Sequence, residues 1–222
     1  MPTYLDHLAV TAFSLEAGAA FVQETLGVAP QAGGEHPRMA THNLLLRLGD
    51  AMFLEVIAPN PSAPAPGRPR WFGLDGLDSR SPPCLSTWVV RTADIRAAVA
   101  GASEPLGAVE PMSRGALDWL ITIPADGSVP LDGVAPALIE WHGDTHPAAG
   151  LEDMGLSLVG LEILHPDPER VSRLLRSLAL EAPVSVLPAP SGAAPRLLAH
   201  IDTRQGLRAL SVRDSAPETS GH

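Results

Sequence analysis

Two short segments carry the residues best suited to chemistry. Phe-Leu-Glu-Val-Ile at 53–57 and Leu-Ile-Glu-Trp-His at 138–142 each set a glutamate in the middle of an otherwise apolar run. An ionised carboxylate inside an apolar strand costs several kcal/mol unless it is paired or bound to a metal. Glu55 and Glu140 therefore need a partner. Arginine is one, with Arg47 and Arg91 on nearby strands; a divalent cation is the other. Strand alternation puts Leu54 and Val56 opposite Glu55, and Ile139 and Trp141 opposite Glu140, so both carboxylates are expected on one face of a sheet.

What is missing narrows the chemistry further. All fifteen basic residues are arginine, which removes Schiff-base catalysis and a P-loop lysine. Gly-x-Ser-x-Gly and Gly-x-Gly-x-x-Gly do not occur, so the common hydrolase and dinucleotide signatures are absent. The lone Cys84 has no intrachain disulfide partner and reads as a structural thiol. A formal charge of −10 disfavours nucleic acid and anionic membrane surfaces. No apolar run reaches the ~18 residues needed to span a bilayer, and no signal peptide is visible at the N-terminus. The expected location is cytoplasmic.

The elements that position these residues repeat. A strand at 4–11 precedes a helix from Ser14 that carries Leu15, Ala19, Val22 and Leu26 on one face and stops at Gly27. Strands follow near 29–34, 40–48 and 51–58, the last two joined by Gly49-Asp50. The βαβββ order recurs: a strand at 85–91, a helix from about Thr92 or Asp94, then strands at about 107–112, 117–123 and 136–142. A third copy runs from a strand at 156–164 through a helix capped by Asp167 and Pro168 to strands at 183–188, 196–201 and 207–212. These limits give a paired domain over 1–146, with modules at about 4–58 and 85–142, and a third module over 156–213. Residues 59–83 hold seven prolines and link the first two modules, with Trp71 and Phe72 pinning the link near the cup's mouth. The tail at 214–222 is polar and expected to fray. The expected fold is α+β: a cupped mixed sheet with helices on its outer face, plus the third half-module. That module must bury its own face against the body or against a second copy, as a homodimer.

Five segments in this order resemble a known family. They are Leu-Asp-His-Leu-Ala-Val at 5–10, Ala-Thr-His-Asn-Leu-Leu at 40–45, Phe-Leu-Glu-Val-Ile-Ala-Pro at 53–59, Ser-Thr-Trp-Val-Val-Arg-Thr at 86–92 and Leu-Ile-Glu-Trp-His at 138–142. Together they are similar to the glyoxalase-like domain family of the vicinal oxygen chelate superfamily. The resemblance implies metal ligands on the first and last strands of each module. Carried over, these are His7, Glu55 and Glu140, with Thr87 at the fifth-strand position where a strong ligand is missing. One imidazole and two carboxylates suit Zn, Ni, Fe, Mn or Co.

The implied function is a metal-dependent lyase, isomerase or dioxygenase on a small oxygen-bearing substrate, with Glu55 or Glu140 as general base. The alternative is a metal-free protein of the same fold that binds or sequesters a small molecule. His42, Asn43, Arg47, Thr87 and Trp119 are the expected substrate contacts, although parity puts His42 on the helix side unless a bulge reverses it. His142 is expected near the rim, His146 in a surface loop and His165 in the loop before the third helix.

Overall fold

The computed structural model describes residues 1–143 and 145–211. The first module is β1 (Thr3–Thr11), α1 (Leu15–Leu26), β2 (Gln31–His36), β3 (Thr41–Gly49) and β4 (Met52–Pro59). The second is β5 (Cys84–Arg91), α2 (Ile95–Gly101), β6 (Ala108–Arg114), β7 (Leu117–Ile123), a short α3 (Pro130–Gly133) and β8 (Ala137–His142). Their strands form one curled sheet in the order β2-β3-β4-β1-β5-β8-β7-β6. Each module pairs its first strand in parallel with its last, and β1 meets β5 antiparallel at the centre. This is the α+β cupped sheet read from the repeats.

Local chemistry explains the elements. Ser14 caps α1 by accepting from the Ala17 N–H, and Gly27 ends it at φ 76°, a left-handed turn that favours glycine. Gly18 lets α1 lie close on β4, since a Cβ there would meet Val56 Cγ1 at 2.4 Å. On the outer face Leu8, Val10, Leu54, Val56, Trp88 and Leu138 bury against Phe21, Val22 and Leu26 of α1 and Ile95 of α2. Each such side chain contributes roughly 1.5–3 kcal/mol of apolar burial.

The inner face holds a separate cluster of Ala9, Ile57, Val89, Trp119, Ile121 and Ile139. Trp71, Phe72 and Leu74 of the proline-rich link join it. The two aromatics therefore do more than pin the link at the mouth: they fill part of the cup. Phe72 does so at φ 58°, a left-handed conformation that costs a non-glycine residue about 1 kcal/mol or more.

The third segment comprises β9 (Ser157–His165), α4 (Pro168–Ser177), β10 (Leu180–Glu181), β11 (Val184–Pro188), β12 (Arg196–Thr203) and β13 (Gly206–Leu210). Asp167 caps α4 through the Arg170 N–H at 3.0 Å. Its sheet runs β11-β9-β12-β13, so β9 pairs in parallel with β11 and antiparallel with β12, and not with the last strand. The strand–helix–strand order recurs with one extra short strand, β10, while the wiring does not. The two-residue β10 leaves this sheet to pair with the start of β1, Thr3 opposite Leu180. The buried face of the second sheet, with Leu161, Ile163, Leu197 and Ile201, merges into the outer core of the first. The segment thus extends the body, one of the two arrangements expected for it. The expected tail at 214–222 lies outside the described residues, and no helix among those described is long and apolar enough to cross a membrane.

Candidate functional site

The site starts from an irregularity in β1. Its register against β5 shifts between Leu5 and His7, which brings Asp6 and His7 to the same side. Both are buried. Asp6 is the hub of three contacts: its Oδ1 lies 2.6 Å from His7 Nδ1, and its Oδ2 accepts from Trp141 Nε1 at 2.9 Å and meets His146 Nε2 at 3.0 Å. Burial alone would push the Asp6 carboxyl up. Hydrogen bonds and positive charge from His146 and His7 outweigh it and hold the group well below the usual carboxylate range. An ionised carboxylate only accepts, so Nδ1 of His7 carries a proton and Nε2 points the other way.

That way lies Glu55. His7 Nε2 and Glu55 Oε2 are 3.7 Å apart, while Glu55 Oε1 accepts from Asn43 Nδ2 at 2.5 Å. Asn43 is itself held through its Oδ1, which accepts from the Gly34 N–H at 2.8 Å and from Arg114 Nη1 at 3.1 Å. Close approach of β2 makes this possible: a Cβ on Gly33 would sit 2.1 Å from Asn43 Oδ1. Phe53 stacks on His7 with centroids 4.4 Å apart. His36, buried beside them, places Nδ1 3.1 Å from Thr41 Oγ1 and Nε2 3.4 Å from Arg114. Burial lowers its pKa to about 4 despite the attraction of Glu55, with Arg114 acting in the same direction as burial.

Two neighbouring spaces lie at this constellation. An inner cavity of about 30 Å³ is lined by His7, Glu55, Asn43, Arg114, Trp71 and Trp119, among others. It has room for one or two water-sized groups. An outer cleft of about 630 Å³ shares His36 and Trp119 with it and continues over Arg38, Met112, Asp118 and His142. Carboxylate, imidazole, amide and guanidinium thus converge on a small space behind a larger, partly apolar mouth.

Of the residues read from sequence, His7, Glu55, Asn43 and Trp119 meet here. Glu140 does not. In β8, Leu138 lies opposite Val90 of β5, and Trp141 lies opposite Trp119 of β7, so Ile139 and Trp141 face the cup while Leu138 and Glu140 face the helices. Apolar residues flank Glu140 on both faces, and parity alone could not choose between them. Glu140 Oε2 instead accepts from the Ile95 N–H at 2.8 Å, at the start of α2.

Thr87 faces inward, but its hydroxyl is buried without a hydrogen-bond partner, in a separate small space beside Trp71 and Pro130. Arg47 turns back to the hairpin, where it bonds Gly49 O and Asp50. His42 stands on the opposite face of β3 from Asn43, as parity indicated, and lines neither space. Arg91 binds the carbonyls of Ala51 and Leu5 rather than a glutamate. Cys84 is half-buried, and burial pushes its thiol pKa up, which suits an inert role.

Sequence reasoning missed Asp6, His36, Arg114 and His146. Asp6 gave no signal, because the bulge that turns it toward His7 cannot be read from apolar spacing. His146, expected at the surface, folds back onto Asp6. Gly33-Gly34 was a usable signal, since paired glycines in a strand mark a place where another group comes close.

The implied metal ligands can be tested against this geometry. Only His7 Nε2 and Glu55 Oε2 face each other, and among the described residues no group of three His, Cys, Asp or Glu could hold a metal ion. Catalytic metal sites ordinarily take three protein ligands. The donors present do not complete one.

A family model described as a glyoxalase-like domain matches residues 5–179. A solved structure of a hypothetical protein from Staphylococcus aureus is similar at TM-score 0.60 and 12% identity, over 85% of this chain and 87% of that one. A variant of methylmalonyl-CoA epimerase from Streptomyces coelicolor, in complex with 2-nitronate-propionyl-CoA, aligns at TM-score 0.42 and 17% identity, over 64% of this chain and 97% of that one. The epimerase from Mycobacterium tuberculosis aligns at 0.40 and 17%, over 64% and 88%. Only the first of these is near enough in shape to bear on the fold. No curated protein sequence matches. With more than three quarters of its length under that family model, and with two βαβββ modules closing one cup, this chain belongs to the glyoxalase-like domain family.

Proposed function

We propose that the protein is an enzyme that moves a proton on a small oxygen-bearing substrate, with Glu55 as general base and acid. One observation carries the reading: Glu55 Oε1 is fixed by Asn43 while Oε2 faces the inner cavity, 3.7 Å from an imidazole whose tautomer Asp6 sets. A carboxylate so oriented can take a proton from the carbon next to a carbonyl. The C–H electron pair moves into the carbonyl, leaving an enolate oxygen; once the enolate presents its other face, Glu55 returns the proton to the same carbon and the electron pair moves back to re-form the C–H bond and the carbonyl. The net chemistry is an isomerisation. His7 Nε2, once protonated, donates to the developing oxygen charge.

The reading needs no metal step, because the cup supplies two of the three ligands that such a step requires. One equivalent of Zn, Ni, Fe, Mn or Co, present in protein purified without chelator and lost in Glu55→Gln, would restore the metal-dependent alternative.

Deuterium exchange tests the proposal. Wild type should catalyse exchange of the α-hydrogens of small 2-oxo and 2-hydroxy compounds with D2O, followed by NMR, and Glu55→Gln should abolish it. A second reading, sequestration of a small molecule without turnover, is favoured by the wide outer cleft with Trp119 and Met112 in its wall. Tight binding with no exchange on any compound would establish it instead.

A further inference from the structure

We infer that Arg114 seats a carboxylate of the substrate, which makes the protein specific for small organic acids. The inference rests on the site proposed above and names its substrate class. Arg114 ends β6, an edge strand that faces β2 across the cup. Its stem packs over Gly34, where an added Cβ would meet its Cδ at 2.7 Å, so the guanidinium is laid over the inner cavity.

Among the described residues it forms no ion pair. Nη1 donates to the neutral amide of Asn43 and approaches His36 at 3.4 Å, while Nε and Nη2 make no hydrogen bond. The chain's other cup-side arginines are used differently: Arg38 and Arg68 both pair with Glu110, and Arg70 pairs with Asp75. Burial pushes the Arg114 pKa down, with Glu55 opposing, so the site carries a desolvation cost that an anion would relieve. An amide needs no guanidinium to hold it, so orienting Asn43 does not account for this residue.

A second atom points the same way. The indole N–H of Trp71, on the wall of the same cavity, is buried without a hydrogen-bond partner. An unpaired guanidinium and an orphaned N–H around a space of about 30 Å³ ask for a compact acceptor with two oxygens. A carboxylate fits that description, and the free fork of Arg114 matches it in bidentate geometry. The rest of the molecule would lie in the outer cleft. Seated there, the carboxylate sets its neighbouring carbon toward Glu55.

The experiment uses the full chain and its own tryptophans, since Trp71, Trp119 and Trp141 all line the cavity. Acetate, pyruvate, lactate and 2-oxoglutarate are titrated, with acetamide, pyruvamide and inorganic phosphate as controls. Saturable quenching is expected from at least one carboxylate, and none from its amide or from phosphate. Arg114→Gln should weaken that binding by about tenfold to a hundredfold, and Arg114→Lys by less, with both variants melting as wild type does. Glu55→Gln should keep the binding while losing exchange. Amides that bind as well as acids, an Arg114→Gln variant that binds normally, or no response to any acid each overturn the seat. Exchange that survives Glu55→Gln while Arg114→Gln still loses binding overturns the general base alone.

Discussion

Asp6 and His7, neighbours in the chain, hydrogen-bond to each other at 2.6 Å inside a strand whose alternation should have sent them to opposite faces. The bulge that permits this fixes which imidazole nitrogen the cavity sees. It also buries a carboxylate that accepts from three side chains. Asp6→Asn replaces an acceptor with a donor on one oxygen and leaves at least one of those partners facing it unmatched. Chemical denaturation at pH 7 should show a loss of about 2–4 kcal/mol. Because folding lowers the Asp6 pKa, the stability it contributes is present above the unfolded value near 4 and is lost as pH falls below it. The deficit of the variant should therefore shrink on going from pH 7 to pH 3.

Glu140 offers the contrast. It bonds the first free N–H of α2 from the far side of the sheet, so Glu140→Ala should cost about 1 kcal/mol in stability, as loss of a helix cap does. Ligand quenching and deuterium exchange should stay at wild-type levels. A collapse of either in a still-folded variant would return Glu140 to the chemistry.

Gly33 has no side chain because Asn43 occupies the place of its Cβ. Gly33→Ala sets a methyl 2.1 Å from Asn43 Oδ1 and 2.7 Å from its carbonyl oxygen. Something must shift, at about 1–3 kcal/mol. Asn43 then releases Glu55, so exchange should fall by far more than the melting temperature does. Equal exchange rates in wild type and variant would show that Asn43 does not hold the base.

His36 gives the site an acid limit. Folding lowers its pKa from 6.5 to about 4, so in that window the unfolded chain binds a proton that the folded chain refuses. Stability then falls as pH drops through the window, by an amount on the order of 3 kcal/mol when it is crossed fully. His36→Gln should flatten the slope of unfolding free energy between pH 6.5 and 4.5. A slope equal to that of wild type would assign the acid limit to other groups.

The repeats were legible because periodicity reports burial directly: Leu54 and Val56, or Val22 and Leu26, each stay on one side of their element. The inward glutamate of β4 followed from the same logic. Glu140 did not, because a strand with Leu138 on one face and Ile139 on the other carries no parity signal. Register against Val90 decides it, and register is a property of pairs of strands. Asp6 and Arg114 were hidden for related reasons. One depends on a bulge, and the other on how far the sheet curls before β6 faces β2. The wiring of the third segment was equally out of reach, since the pattern read from its sequence is the same as that of the first two modules.

The partners of β1 arrive over most of the chain's length. Parallel pairing with β4 spans about 46 positions, since His7 lies opposite Phe53. The pair with β5 spans about twice that, Trp141 and His146 reach Asp6 across 135 and 140 positions, and β10 closes on Thr3 from Leu180. The strand bearing Asp6 and His7 precedes all of these partners in the chain and must wait for each in turn. Contacts of such long sequence separation slow folding, so the wiring around Asp6 belongs to the slow-folding kind. A chain ending before residue 146 lacks the His146 contact to Asp6, while the bond between Asp6 and His7 stays local to β1.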